Sequence, residues 1–209
     1  YVRALKNEKA YDLIFGVGPA GTGKTLLAVA YGASMLVQRK FEKLIITRPA
    51  VEAGEKLGFL PGDLNEKVDP YLLPVWDALA DTLGRAELER MRADGRIEIA
   101  PIAFMRGRTL NRAFVIVDEA QNTSRAQMQM VLTRLGEGSR MAVTGDPSQC
   151  DLLPRDPSGL PHALEILAET KGVAAIRFTR ADVVRHDLVA RIVAAYEDDL
   201  NKAGGARSS

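Results

Sequence analysis

The chain of 209 residues carries 28 Lys and Arg against 27 Asp and Glu, for a net charge of +1, with 46% apolar and 26% charged residues. That balance is ordinary for one globular domain with a large buried core, and any nucleic-acid surface must be a local patch, because the overall charge supplies none. Cys150 is the only cysteine, which rules out an intrachain disulfide, and neither a membrane-length apolar run nor a signal-peptide pattern is visible, so a cytoplasmic protein without a membrane partner is expected.

Tyr1 to Ala10 reads as the end of a helix. The apolar run Asp12-Leu-Ile-Phe-Gly-Val17 follows as a strand, then Gly18-Pro-Ala-Gly-Thr-Gly-Lys-Thr25, then a helix-like run through Val37. Strand, glycine-rich loop and helix with G-x-x-x-x-G-K-[ST] spacing form a phosphate-binding loop. Backbone N–H groups of Gly18, Pro19, Ala20, Gly21, Thr22 and Gly23 (proline excepted) can turn toward a phosphate, aided by the positive end of the helix. Lys24 then reaches the β- and γ-phosphates, and the Thr25 hydroxyl suits Mg²⁺. Gly16-Val-Gly18-Pro-Ala-Gly21 also satisfies the dinucleotide pattern G-x-G-x-x-G, but that site wants an acidic residue ending the second strand. Here Leu44 to Thr47 runs into Arg48-Pro49, so a nucleoside triphosphate is the better ligand.

Residues 48 to 64 form a long, rather apolar loop, more consistent with a functional surface than with a linker. Val68 to Leu83 has helical spacing, with Trp76 read as a packing residue ahead of a base-stacking one. A polar helix spans Arg85 to Ala93 and a short strand Ile97 to Ile99. Phe104-Met-Arg-Gly-Arg-Thr-Leu110 leads to the strongest strand, Phe114 to Val117, in which four hydrophobic residues precede Asp118-Glu119. This is a Walker B pattern: Asp118 would hold the water shell of Mg²⁺ opposite Thr25, and Glu119 would act as general base toward water. Ser124 is a candidate N-cap for a helix through Leu135. Met141 to Thr144 is a strand ending in Gly145-Asp-Pro-Ser-Gln149, where the Gln149 amide can sense the γ-phosphate. His162 to Glu169 looks helical, Val173 to Phe178 is strand-like, and Val183 to Tyr196 is an amphipathic helix. Residues 1–200 form the domain and 201–209 a disordered tail. Arg106 and Arg108 suit either a phosphate backbone or carboxylate partners, and His162 and His186 match no metal pattern. Alternating strands and helices imply a doubly wound α/β domain with its ligand at the carboxyl ends of the strands.

The stretches 18–25, 47–55, 104–110, 117–122, 143–149 and 182–189 together resemble the PhoH family of ATPases over nearly the whole chain. The resemblance implies a P-loop NTPase with a RecA-like core, a parallel sheet sandwiched between helices, using ATP and Mg²⁺. The family is similar to the first motor domain of superfamily 1 helicases, which would turn Arg48, Pro49 and the loop they open toward single-stranded RNA, with Gln149 coupling that contact to the γ-phosphate. Family members are associated with RNA metabolism, sometimes beside an endoribonuclease. The length leaves no room for a second motor domain, so efficient hydrolysis would need an arginine from another subunit, which argues for a homo-oligomeric, hexameric ring. Arg185 is the candidate and Arg180 the fallback. A P-loop small-molecule kinase is disfavoured by Glu119 and Gln149, while an ATP-gated scaffold that recruits an RNA-processing partner would use the same residues.

Overall fold

The computed structural model describes residues 1–49, 64–153 and 156–184 together with 188, 189, 191, 192 and 195, and over 64–71 the helical backbone alone. Residues 50–63 of the expected loop, Arg185, His186, most of the final helix and the tail lie outside the described residues.

Six expected strands form one sheet: β1 (Leu13–Val17), β2 (Lys43–Arg48), β3 (Ile97–Pro101), β4 (Ala113–Val117), β5 (Arg140–Gly145) and β6 (Val173–Arg177). Every pairing is parallel, in the order β3-β2-β4-β5-β1-β6. β1, β4 and β5 are buried at every position, which is why they read as unbroken apolar runs rather than alternating ones.

The period of two then divides those side chains between two cores. Ile14, Leu44, Ile46, Phe114, Ile116 and Ala142 face one side, where α1 (Val2–Lys6), α2 (Lys24–Val37), α3 (Leu64–Leu83) and α4 (Arg85–Ala93) cover them. Phe15, Val17, Ile45, Val115, Val117 and Val143 face the other, under α5 (Arg125–Leu132) and α6 (Gly159–Ile166). The result is helix, sheet, helix, with Trp76 half-buried against the first core and the Arg92 guanidinium 4.6 Å over its ring.

Boundaries differ from the sequence reading where side chains intervene. α6 starts three residues earlier than expected because Ser158 accepts the Leu160 N–H as its cap, and Pro161 falls in the first turn, where a missing N–H costs nothing. α5 begins behind a full Ser124–Gln127 capping box but stops at Leu132, where the Thr133 hydroxyl bonds back to the Gln129 and Met130 carbonyls. At the opposite end of the sheet, the buried Arg140 guanidinium donates to the carbonyls of Tyr11 and Leu5 and to the Tyr31 hydroxyl, fixing the segment before β1.

α2 lies unusually close to the sheet at Gly32, where a Cβ would stand 2.7 Å from Phe114 Cδ1 and 2.8 Å from Leu44 Cδ1. Gly32→Val therefore overpacks the first core and should lower stability by about 1–3 kcal/mol, or several degrees in the thermal unfolding midpoint. Val37→Ala, at an exposed position of the same helix, should stay within about 0.5 kcal/mol. Equal midpoints for the two variants in calorimetry would contradict this account of the helix–sheet contact.

Candidate functional site

Because the sheet is parallel, the carboxyl ends of β1, β4 and β5 open side by side, and the loops that leave them meet. The loop after β1 begins at Gly18 with φ 143°, a conformation open to glycine, and a Cβ there would strike the Phe178 carbonyl oxygen at 2.4 Å. The chain enters α2 through Gly23, which is left-handed at φ 76°.

Lys24 is buried, and its Nζ donates to the carbonyls of Gly18 and Pro19, each at 2.7 Å. The lysine thus closes its own loop and stands where the loop concentrates polar groups. Burial pulls its ammonium below the ordinary range, opposed by the charges of Asp146, Glu119 and Asp118. Thr22, also buried, donates its hydroxyl to the Pro19 carbonyl.

Thr25 and Asp118, far apart in sequence, are joined directly: the Thr25 hydroxyl donates to Asp118 Oδ1 at 2.7 Å. Thr144, at the end of β5, donates to the same oxygen at 2.8 Å. The register that sets Val117 beside Val143 brings these groups together. The expected Mg²⁺ fits this donor set, since a hydroxyl and a carboxylate are hard oxygen ligands. Among the described residues no group of three or more His, Cys, Asp and Glu could hold a metal ion.

Glu119 sits in the left-handed region at φ 51° and ψ 39°, a costly conformation for a residue with a Cβ and one that clusters at functional sites. Its carboxylate is held at both oxygens. Gln121 Nε2 donates to Oε2 at 2.6 Å, and Arg48 Nη2 forms an ion pair with Oε1 at 2.9 Å. Arg48, which the family resemblance would turn toward nucleic acid, is in the structure a partner of the expected general base. Pro49 follows it, buried.

A cavity of about 260 Å³ is lined by Lys24, Thr25, Asp118, Glu119, Asp146 and Gln149 among others. The exposed Gln149 thus reaches the same space as Lys24, Thr25, Asp118 and Glu119, on a turn closed by its N–H to the Asp146 carbonyl. A second cavity of about 510 Å³ lies beyond, bounded by Arg48, Asp77 and Asp81, and it shares Thr25, Asp118 and Glu119 with the first.

Two residues given no role by sequence reasoning complete the site. Asp146 is buried, and its Oδ2 accepts the Ala20 N–H of the phosphate loop while Oδ1 accepts from the backbone and hydroxyl of Ser148. Gln121 is buried between Glu119 and Asp146. The signal available was position: each lies within four residues of a strand end, inside a stretch that carries the family resemblance. The alternatives left open for Arg108 resolve to an ion pair: its guanidinium bonds both oxygens of Glu98, with Nη2 at 2.8 Å, and holds that carboxyl below its usual range. Arg106 is exposed, and Arg180 lies in a short 3₁₀ turn after β6. Among the described residues no helix is long and apolar enough to cross a membrane.

The family model described as "PhoH-like protein" matches residues 1–197. The chain is 58% identical over 94% of its length to a PhoH-like protein of Bacillus subtilis, covering 61% of that protein. It is 46% identical over 94% of its length to Protein PhoH of Escherichia coli K12, covering 55% of it. Among solved structures, a Sulfolobus solfataricus SWI2/SNF2 ATPase core in complex with double-stranded DNA superimposes with a TM-score of 0.45 at 14% identity, covering 85% of this chain and 42% of that one. The chain thus spans little more than half the length of these curated relatives, and over that span it belongs to the PhoH family.

Proposed function

We propose that the chain is a Mg²⁺-dependent ATPase whose turnover is coupled to single-stranded RNA, acting within a homo-oligomeric ring in the cytoplasm. The observation that carries the reading is the position of Glu119: it lines the phosphate-loop cavity beside Thr25 and Asp118 while bonded to Arg48.

The chain's own groups divide the work. Backbone N–H groups of the loop and the end of α2 receive the phosphates. Lys24 exchanges the Gly18 and Pro19 carbonyls for phosphate oxygens and stabilises charge on the transferring group. Thr25 and Asp118 would hold Mg²⁺, which when bound neutralises charge on the β- and γ-phosphates. Thr144 keeps the Asp118 carboxylate oriented. Glu119 accepts a proton as the oxygen of water forms a bond to the γ-phosphorus. The bond between that phosphorus and the β–γ bridging oxygen breaks, giving ADP and inorganic phosphate. Gln149 reports whether the γ-phosphate is present.

Arg48 joins this chemistry to the nucleic-acid side. An RNA phosphate that draws the guanidinium away leaves Glu119 Oε1 for water, so RNA and hydrolysis communicate through one ion pair. Within a ring, Arg185 of a neighbouring subunit supplies positive charge to the transition state, and an endoribonuclease is a fitting partner for the remodelled RNA.

Lys24→Ala should abolish turnover. Glu119→Gln should bind ATP within a few-fold of the parent while losing about 10²-fold or more in steady-state hydrolysis. Retained hydrolysis in the Glu119 variant would remove it from the mechanism. Single-stranded RNA should raise the ATPase rate of the parent and leave Arg48→Ala much less responsive. An RNA-independent rate in the parent would favour an ATP-gated scaffold instead.

A further inference from the structure

Gln121 occupies the 3₁₀ turn Ala120–Asn122 directly after the Walker B pair and is 1% exposed. Its amide is used at both ends. Nε2 donates to Glu119 Oε2 at 2.6 Å, and Oε1 accepts the Asp146 N–H at 3.0 Å. The orientation is forced, because turning the amide over would oppose two donors at Asp146 and two acceptors at Glu119. The fit is close as well: a Cβ on Gly145 would lie 2.8 Å from Gln121 Oε1 and 3.2 Å from its backbone nitrogen, so the side chain passes where only glycine leaves room.

Asp146 extends the connection. Its carboxylate accepts the Ala20 N–H at 3.1 Å and ties down Ser148, one residue before Gln149. Glu119, Gln121, Asp146 and Ala20 therefore form one continuous chain of hydrogen bonds from the general base to the phosphate loop. The two holds on Glu119 differ in kind. Gln121 is buried and braced by Asp146, whereas Arg48 is partly open to solvent and borders the second cavity.

We propose that Gln121 is a positioning residue: it fixes Oε2 of Glu119 against the phosphate loop through Asp146 so that Oε1 is the oxygen presented to water. This rests on Glu119 being the general base. The left-handed backbone at Glu119 makes the hold necessary, since a residue in a sparsely populated conformation stays there only when its surroundings dictate it. The carboxylate is set by its amide partner before substrate arrives, as a preorganised site requires.

The test pairs turnover with binding in Gln121→Ala and Gln121→Met, the second filling most of the vacated space without hydrogen bonds. Both are compared with the parent and with Glu119→Gln for kcat, for the Kd of a fluorescent ATP analogue, and for the thermal midpoint. The expected result is a fall in kcat of about 10- to 100-fold with Kd within about twofold. In the Glu119→Gln background, Gln121→Ala should lower the residual rate by less than about twofold, because the group it positions is already gone. Parent-like kcat in a folded Gln121 variant would overturn the proposal, as would an undiminished effect in the Glu119→Gln background. If one variant fails to fold, the other decides. Should Glu119→Gln itself turn over like the parent, the general-base reading fails instead, which separates the two ideas.

Discussion

One carboxylate oxygen organises the functional end of this molecule. Asp118 Oδ1 receives the Thr25 hydroxyl from the start of α2 and the Thr144 hydroxyl from the end of β5. The strand that leads into it, the helix that follows the phosphate loop and the neighbouring strand are thereby pinned to one point. In a buried setting each such bond to a charged group contributes about 1.5–3 kcal/mol, and loss of the carboxylate would leave the buried Thr144 hydroxyl without this acceptor. A carboxylate oxygen is also a hard donor of the kind that the proposed Mg²⁺ would take.

Around that point the site is built from buried polar groups rather than from surface charge. Lys24, Asp118, Gln121 and Asp146 are all largely withdrawn from solvent, and each has hydrogen-bond partners. Low local dielectric makes a fully paired network rigid and a half-paired one costly, which favours a single arrangement. Net charge near zero is no obstacle to such chemistry, because the charges act at close range inside the fold.

Much of this was legible in the sequence, for identifiable reasons. A parallel sheet covered on both faces needs apolar residues at every strand position, so Phe114 to Val117 or Met141 to Thr144 could be recognised without knowing their neighbours. The phosphate loop and the Walker B pair are local patterns whose residues act within one turn of chain. The rest depends on contacts between distant residues. Asp146 meets Ala20 across 126 positions, and Gln121 meets Asp146 across 25. Arg48 illustrates the same limit: its place at a strand end was plain, but its ion pair with Glu119 depends on β2 lying beside β4, a matter of topology. The end of α5 and the start of α6 depend on single hydroxyl groups, Thr133 and Ser158, which periodicity does not reveal.

Strand order also dictates when the site can come into being. β1, which carries the phosphate loop, pairs only with β5 and β6, and neither exists until the chain has been made past residue 140. The earlier strands β2, β3 and β4 are contiguous with one another and can zip together first, which leaves β1 as an apolar strand without ladder partners during synthesis. Pairings so distant in sequence are slow to close, and an unpaired buried-type strand invites wrong contacts meanwhile. A nascent chain that stops before β5 therefore holds all the residues of the phosphate loop yet lacks the strand beside which β1 lies in the finished sheet.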